Sequence, residues 1–129
     1  PLTVAGAAAA ARDAALMRAL AQGPLAPAAE YWILLGAPLD RRDISEQLKM
    51  SERAARYFPS NALIVRRVVF LAFAGQSAEA RRLLAQAMHT SPQRCQETVG
   101  ILAQALAADP AAITPLLVLA KDAGGPGCT

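Results

Sequence analysis

The side chains able to do chemistry are few and scattered. The chain holds one histidine and two cysteines. His89 lies six residues from Cys95, with the Ser91-Pro92 break between them. A nucleophilic thiolate needs a base within hydrogen-bond reach and a third group to orient that base. No such set recurs at a recognisable spacing, so His89 reads as a surface histidine near a helix end. One histidine and two cysteines are also too few for a structural zinc site, which takes four ligands. The glycines at 124, 125 and 127 make no phosphate loop, because no strand precedes them and no helix follows. No catalytic residue, metal or cofactor is expected in this chain.

Cys95 and Cys128 admit two readings. In an oxidising compartment a bridge between them would pin an end that otherwise frays. In the other reading they are unrelated free thiols.

Charge points to no nucleic acid. Thirteen basic residues stand against ten acidic ones, a formal charge of +3, and the basic residues come as separated pairs, Arg41 with Arg42, Arg66 with Arg67, Arg81 with Arg82. Nucleic-acid binders present a basic stripe, often with stacking aromatics, and only 5% of this chain is aromatic. Arg66 and Arg67 interrupt the most hydrophobic stretch, so their stems are expected along apolar neighbours with their heads in water. With Arg81 and Arg82 they would form a basic surface for an acidic or glycan-phosphate partner, against the plainer reading of solvated arginines. Tyr31 and Trp32 read as core residues, with an exposed recognition patch as the alternative. No apolar run reaches the length that spans a membrane. The chain begins at Pro1 without a signal-peptide pattern, which is expected of a domain cut from a longer protein or of a processed form.

The elements that carry these residues read as helices. The composition is 54% hydrophobic and rich in alanine, which favours helices packed closely through small side chains. Helical spacing predicts a first helix over residues 4–21, stopped by Gly23-Pro24, and a second from near Pro27 to Gly36-Ala37-Pro38. Asp43 and Glu46 have the spacing of a capping box. They predict a third helix with Ile44, Leu48, Ala55 and Phe58 on one face, ended by Pro59. Residues 61–74 are apolar nearly all round and predict the central helix. A strand is the alternative reading of their valines, but the run is too long for one. Gly75 predicts a left-handed helix end, and Ser77 a cap for the next helix, where Ala80, Leu83, Leu84, Ala87 and Met88 recur at i, i+3, i+4, i+7 and i+8. Ser91-Pro92 and Asp109-Pro110 open two further helices, over 92–108 and from 110 or 115 to 123. The whole is expected as one domain over residues 1–123 with a flexible glycine-rich tail at 124–129.

Seven short helices with tight breaks suggest stacked antiparallel pairs. Residues 61–94 hold a helix, Gly75 at the turn, then Ala80, Leu84, Ala87 and Pro92. These are small-large-small positions with a closing proline, and they resemble the second helix of a tetratricopeptide repeat. Alanines let helices approach, the larger residue fills the groove, and the proline starts the next helix. Ala54 with Pro59 echoes the unit 33 residues earlier, and Ala105 with Pro110 only 18 residues later. The fold class expected is therefore all-α, a tetratricopeptide-like right-handed stack of about seven helices.

A narrower resemblance covers residues 43–93. Glu52-Arg53-Ala54 leads to Tyr57-Phe58-Pro59, followed by Arg66, Leu71-Ala72, Gly75, Glu79-Ala80 and Leu84. This pattern resembles the C-terminal domain that follows the membrane helices in bacterial polymerases and ligases of the Wzy and PglL type. Such proteins are similar to O-antigen ligases, and PglL-type members transfer a lipid-linked oligosaccharide onto pilin or other exported proteins. The resemblance implies a soluble periplasmic domain whose partner is an acceptor protein or the membrane portion of its own parent. It carries over no catalytic residue, because the family keeps those in its membrane portion and large periplasmic loop. A stand-alone tetratricopeptide-like adaptor that binds a partner protein is the alternative.

Overall fold

A computed structural model describes residues 36–128 of the protein. These residues form five α-helices and no strand: α1 (Ile44–Tyr57), α2 (Asn61–Phe73), α3 (Ser77–Thr90), α4 (Cys95–Leu106) and α5 (Pro110–Gly124). Short 3-10 turns occupy Pro92–Arg94 and Gly125–Cys128. The two helices expected before residue 36, with Tyr31 and Trp32, lie outside the described residues. None of the helices described is long and apolar enough to cross a membrane.

The valine-rich run is helical, and α2 is the central element. Ten of its thirteen residues are buried, because α1, α3, α4 and α5 all pack against it. That enclosure explains why its sequence shows so little apolar-polar contrast. Its ends are well closed. Ser60 Oγ accepts from the Leu63 amide at 3.2 Å, an N-cap that satisfies one of the free amides of the first turn. At the other end Gly75 adopts φ +83°. Its amide donates to Ala72 O at 3.1 Å while that of Gln76 donates to Leu71 O at 2.9 Å, the paired bonds of a Schellman motif.

The chain then reverses into α3, whose Ala80, Leu84, Ala87 and Met88 are buried. The next hairpin, α4–α5, lies against the first, α4 on α2 and α5 on α3. One continuous core joins Val65, Val69, Phe70 and Leu84 to Leu102, Ile113 and Leu116. Phe70 and Phe73 meet edge to face, their centroids 5.7 Å apart.

Several local details differ from expectation. Asp43 precedes α1 in a left-handed conformation, φ +52°, with no side-chain cap bond, so no capping box forms with Glu46. Ser77 is the first residue of α3, and Gln76, at the cap position, makes no side-chain bond. The buried face of α1 centres on Ser51 and Ala54, with Ile44 and Leu48 half-buried beside them. The helix expected at 92–108 begins as the 3-10 turn and becomes α-helical at Cys95. Of the two starts considered for α5, Pro110 is the one used. Asp109 Oδ1 accepts from the Ala112 amide at 3.2 Å, and Pro115 falls inside the helix.

Residues 124–128, expected as part of a flexible tail, are the end of α5 and the closing 3-10 turn. Cys128 is 4% exposed and disulfide-bonded to Cys95, with the two Cα atoms 5.4 Å apart.

Candidate functional site

Of the arginines singled out in the sequence, Arg66 does not reach the surface. Arg66 is 6% exposed, contrary to the expectation that its head reaches water. Its guanidinium lies 6.0 Å from the Phe70 ring centroid, and Nη2 donates to Ala37 O. Nε has no hydrogen-bond partner. Burial pulls its pKa below the ordinary arginine value, since a desolvated charge is disfavoured. Arg41 holds the same segment from the other side. Its Nη1 donates to Asp109 Oδ2 at 2.6 Å, and its guanidinium stands 5.7 Å from the Phe73 ring. Residues 37–41 are thus fastened across α2 and α5 by two arginines.

Arg67 is half-buried and Arg81 exposed. Arg82 makes a two-pronged ion pair with Glu79, Nε to Oε2 at 2.9 Å and Nη2 to Oε1 at 2.5 Å. That hydrogen-bonded pairing holds the Glu79 carboxyl below its usual range and raises Arg82. Asp40 is lowered in the same way by Arg42. These exposed pairs are screened by water and stabilise little.

The structural positions Gly75, Ala80, Leu84, Ala87 and Pro92 lie along the α2–α3 turn, the inner face of α3 and the start of the following 3-10 turn. His89 is exposed in the last turn of α3, and the sulfur of Cys95 is committed to Cys128. The two therefore make no thiolate-imidazole dyad. Gly124 faces this bridge: a Cβ there would fall 2.7 Å from Cys128 Cβ and 2.8 Å from Cys95 Cβ and would strike Cys95 Sγ. Sequence reasoning read Gly124 only as part of a tail, although a glycine four residues before a buried cysteine is compatible with a close approach.

A groove of about 370 Å³ lies on the surface of the described residues. It opens where the start of α2, the last two turns of α3 and the 3-10 turn meet. Pro59, Ile64, Leu83 and Ala87 supply apolar surface; Ser60, Asn61, Gln86, Thr90, Ser91 and Arg94 supply polar groups. Its base is stiffened by a buried network. Asn61 Nδ2 donates to Glu97 Oε1 at 3.0 Å and Thr98 Oγ1 at 3.1 Å, and Thr98 Oγ1 donates to Arg94 O at 3.1 Å. The network ties α2 to α4 and holds the backbone from which Arg94 projects. Asn61, Thr98 and Arg94 went unnoticed in the sequence because each occupies an ordinary helix-start position; no motif marks them. A second cavity of about 180 Å³ lies between α3 and α5, beside Arg81 and Pro115.

No protein-family model, curated protein or solved structure significantly matches the chain.

Proposed function

We propose that this chain is a non-catalytic, tetratricopeptide-like domain from the periplasmic C-terminal part of a membrane-embedded O-oligosaccharyltransferase or O-antigen ligase. There it holds an acceptor protein, or the membrane portion of its parent, while catalysis takes place elsewhere in the parent. The observation that carries this reading is the Cys95–Cys128 disulfide, buried at both ends. Such bridges persist in oxidising compartments and are rare in the bacterial cytosol. The periplasm is the compartment that the motif resemblance over residues 43–93 implies. Support for the repeat-like character comes from α3, where Ala80, Leu84 and Ala87 are the buried positions, with Gly75 closing the helix before it.

The test is the full-length reading frame followed by a transfer assay. About a dozen hydrophobic helices upstream are expected. Removing residues 36–129 from that parent is expected to reduce glycan transfer to the acceptor protein while lipid-linked donor still binds. A short reading frame without membrane helices, or transfer unchanged by the deletion, overturns the proposal. The groove beside Arg94 is compatible with a second reading, a stand-alone adaptor, because a concave site with a few placed polar groups suits ligand capture with or without a membrane parent. A short reading frame would leave that reading in place.

A further inference from the structure

The groove at the start of α2 has the makings of a ligand site that is separate from the question of the parent protein. Its volume of about 370 Å³ falls within the range of small-ligand pockets. The apolar side is formed by Ile64, Leu83 and Ala87, and the polar side by Gln86, Thr90 and Arg94.

Charge decides the class of occupant. Arg94 is the one charged side chain among the described residues that line the groove, and no carboxylate among those residues pairs with it. Glu97, in the same stretch of chain, is engaged by Asn61. An unpaired guanidinium beside hydroxyl and amide donors favours an anion with planar oxygens, which it can bind through parallel hydrogen bonds. The aliphatic wall favours a ligand with a branched hydrocarbon body, and no aromatic ring is among the described residues that line the groove.

We propose that this groove binds an aliphatic carboxylate of about the size of a leucine residue, its carboxylate on Arg94 and its branched chain against Ile64, Leu83 and Ala87. The free end of a peptide chain and a free branched-chain acid share this chemistry.

The experiment is a titration of the 15N-labelled full chain, followed by NMR, with four probes: N-acetyl-leucine, 4-methylpentanoate, N-acetyl-leucinamide and inorganic phosphate. N-acetyl-leucine is expected to shift the amides of residues 60–64 and 90–94 saturably. The neutral N-acetyl-leucinamide should bind about tenfold more weakly, as expected for loss of a charge-assisted hydrogen bond. Arg94→Gln, at an exposed position, should cause the same loss and leave the remaining spectrum unchanged. Affinity for 4-methylpentanoate equal to that for N-acetyl-leucine identifies a small free acid; clearly weaker affinity identifies a chain end. The proposal is overturned if neither acid gives saturable shifts, if the neutral amide binds as well as the acid, if Arg94→Gln has no effect, or if phosphate alone binds as tightly.

Discussion

Arg66 places a cation among apolar side chains with one acceptor among the described residues, Ala37 O, and a Nε that finds none. Replacing a buried, incompletely paired charge by a hydrocarbon of similar volume is often neutral or stabilising. Arg66→Met is therefore expected to leave the urea midpoint unchanged or raise it, by an amount equivalent to about 1 kcal/mol or more; a loss of about 2 kcal/mol would show that the contact with Ala37 outweighs desolvation. Gly124 is the opposite case, a position with no room. Gly124→Ala puts a methyl group against both bridge cysteines and is expected to destabilise by about 1–3 kcal/mol, the range for overpacking, read from the same denaturation curves. For Glu79 the sign of the pH effect follows from Arg82, which depresses its folded pKa below the unfolded value. Its contribution is complete above the unfolded pKa and is lost as pH falls through the folded one. Glu79→Gln should thus lower Tm slightly at neutral pH, and the two melting curves should converge as the solution is acidified.

Helix ends show where element-scale rules succeed and where they need context. Ser60 and Asp109 both bond a first-turn amide, whereas Ser77 sits inside α3 and Asp43 is left-handed. A capping oxygen helps only when the backbone before the helix is extended enough to aim it at the amides. Ser60 has that backbone, with φ −131° and ψ 151°. Ser60→Ala is accordingly expected to cost about 1 kcal/mol, and Ser77→Ala close to nothing. Thermal melts of the two variants side by side check the contrast. The packing faces were more legible. The spacing of Ala80, Leu84, Ala87 and Met88 identifies the buried stripe of α3, since i, i+3, i+4 and i+7 positions share one side of any helix.

At the scale of the molecule, the disulfide closes the C-terminal end onto α4, and 33 residues separate its cysteines. Loop-closure reasoning assigns such a link about 3–4 kcal/mol, chiefly by restricting the unfolded chain. The double variant Cys95→Ser, Cys128→Ser should show a correspondingly lower urea midpoint. Adding reductant during unfolding should shift the parent protein towards the variant and leave the variant unchanged. If the midpoints coincide under oxidising conditions, the terminal turn contributes nothing to holding the domain together.

The order of residues alone established the helical character of the described residues, the breaks near Pro59, Gly75, Ser91 and Asp109, the central place of residues 61–74 and the inward face of α3. Each of these follows from periodicity and turn chemistry acting within a few residues. The folded chain was needed to show that Arg66 is covered, that Cys128 reaches Cys95, that Gly124 must lack a side chain, and that Asn61 and Thr98 brace a groove beside Arg94. Each of those facts depends on segments that meet only when the helices pack. Arg66 is 29 positions from Ala37 and Asn61 is 37 from Thr98, and no local pattern records a contact over that distance.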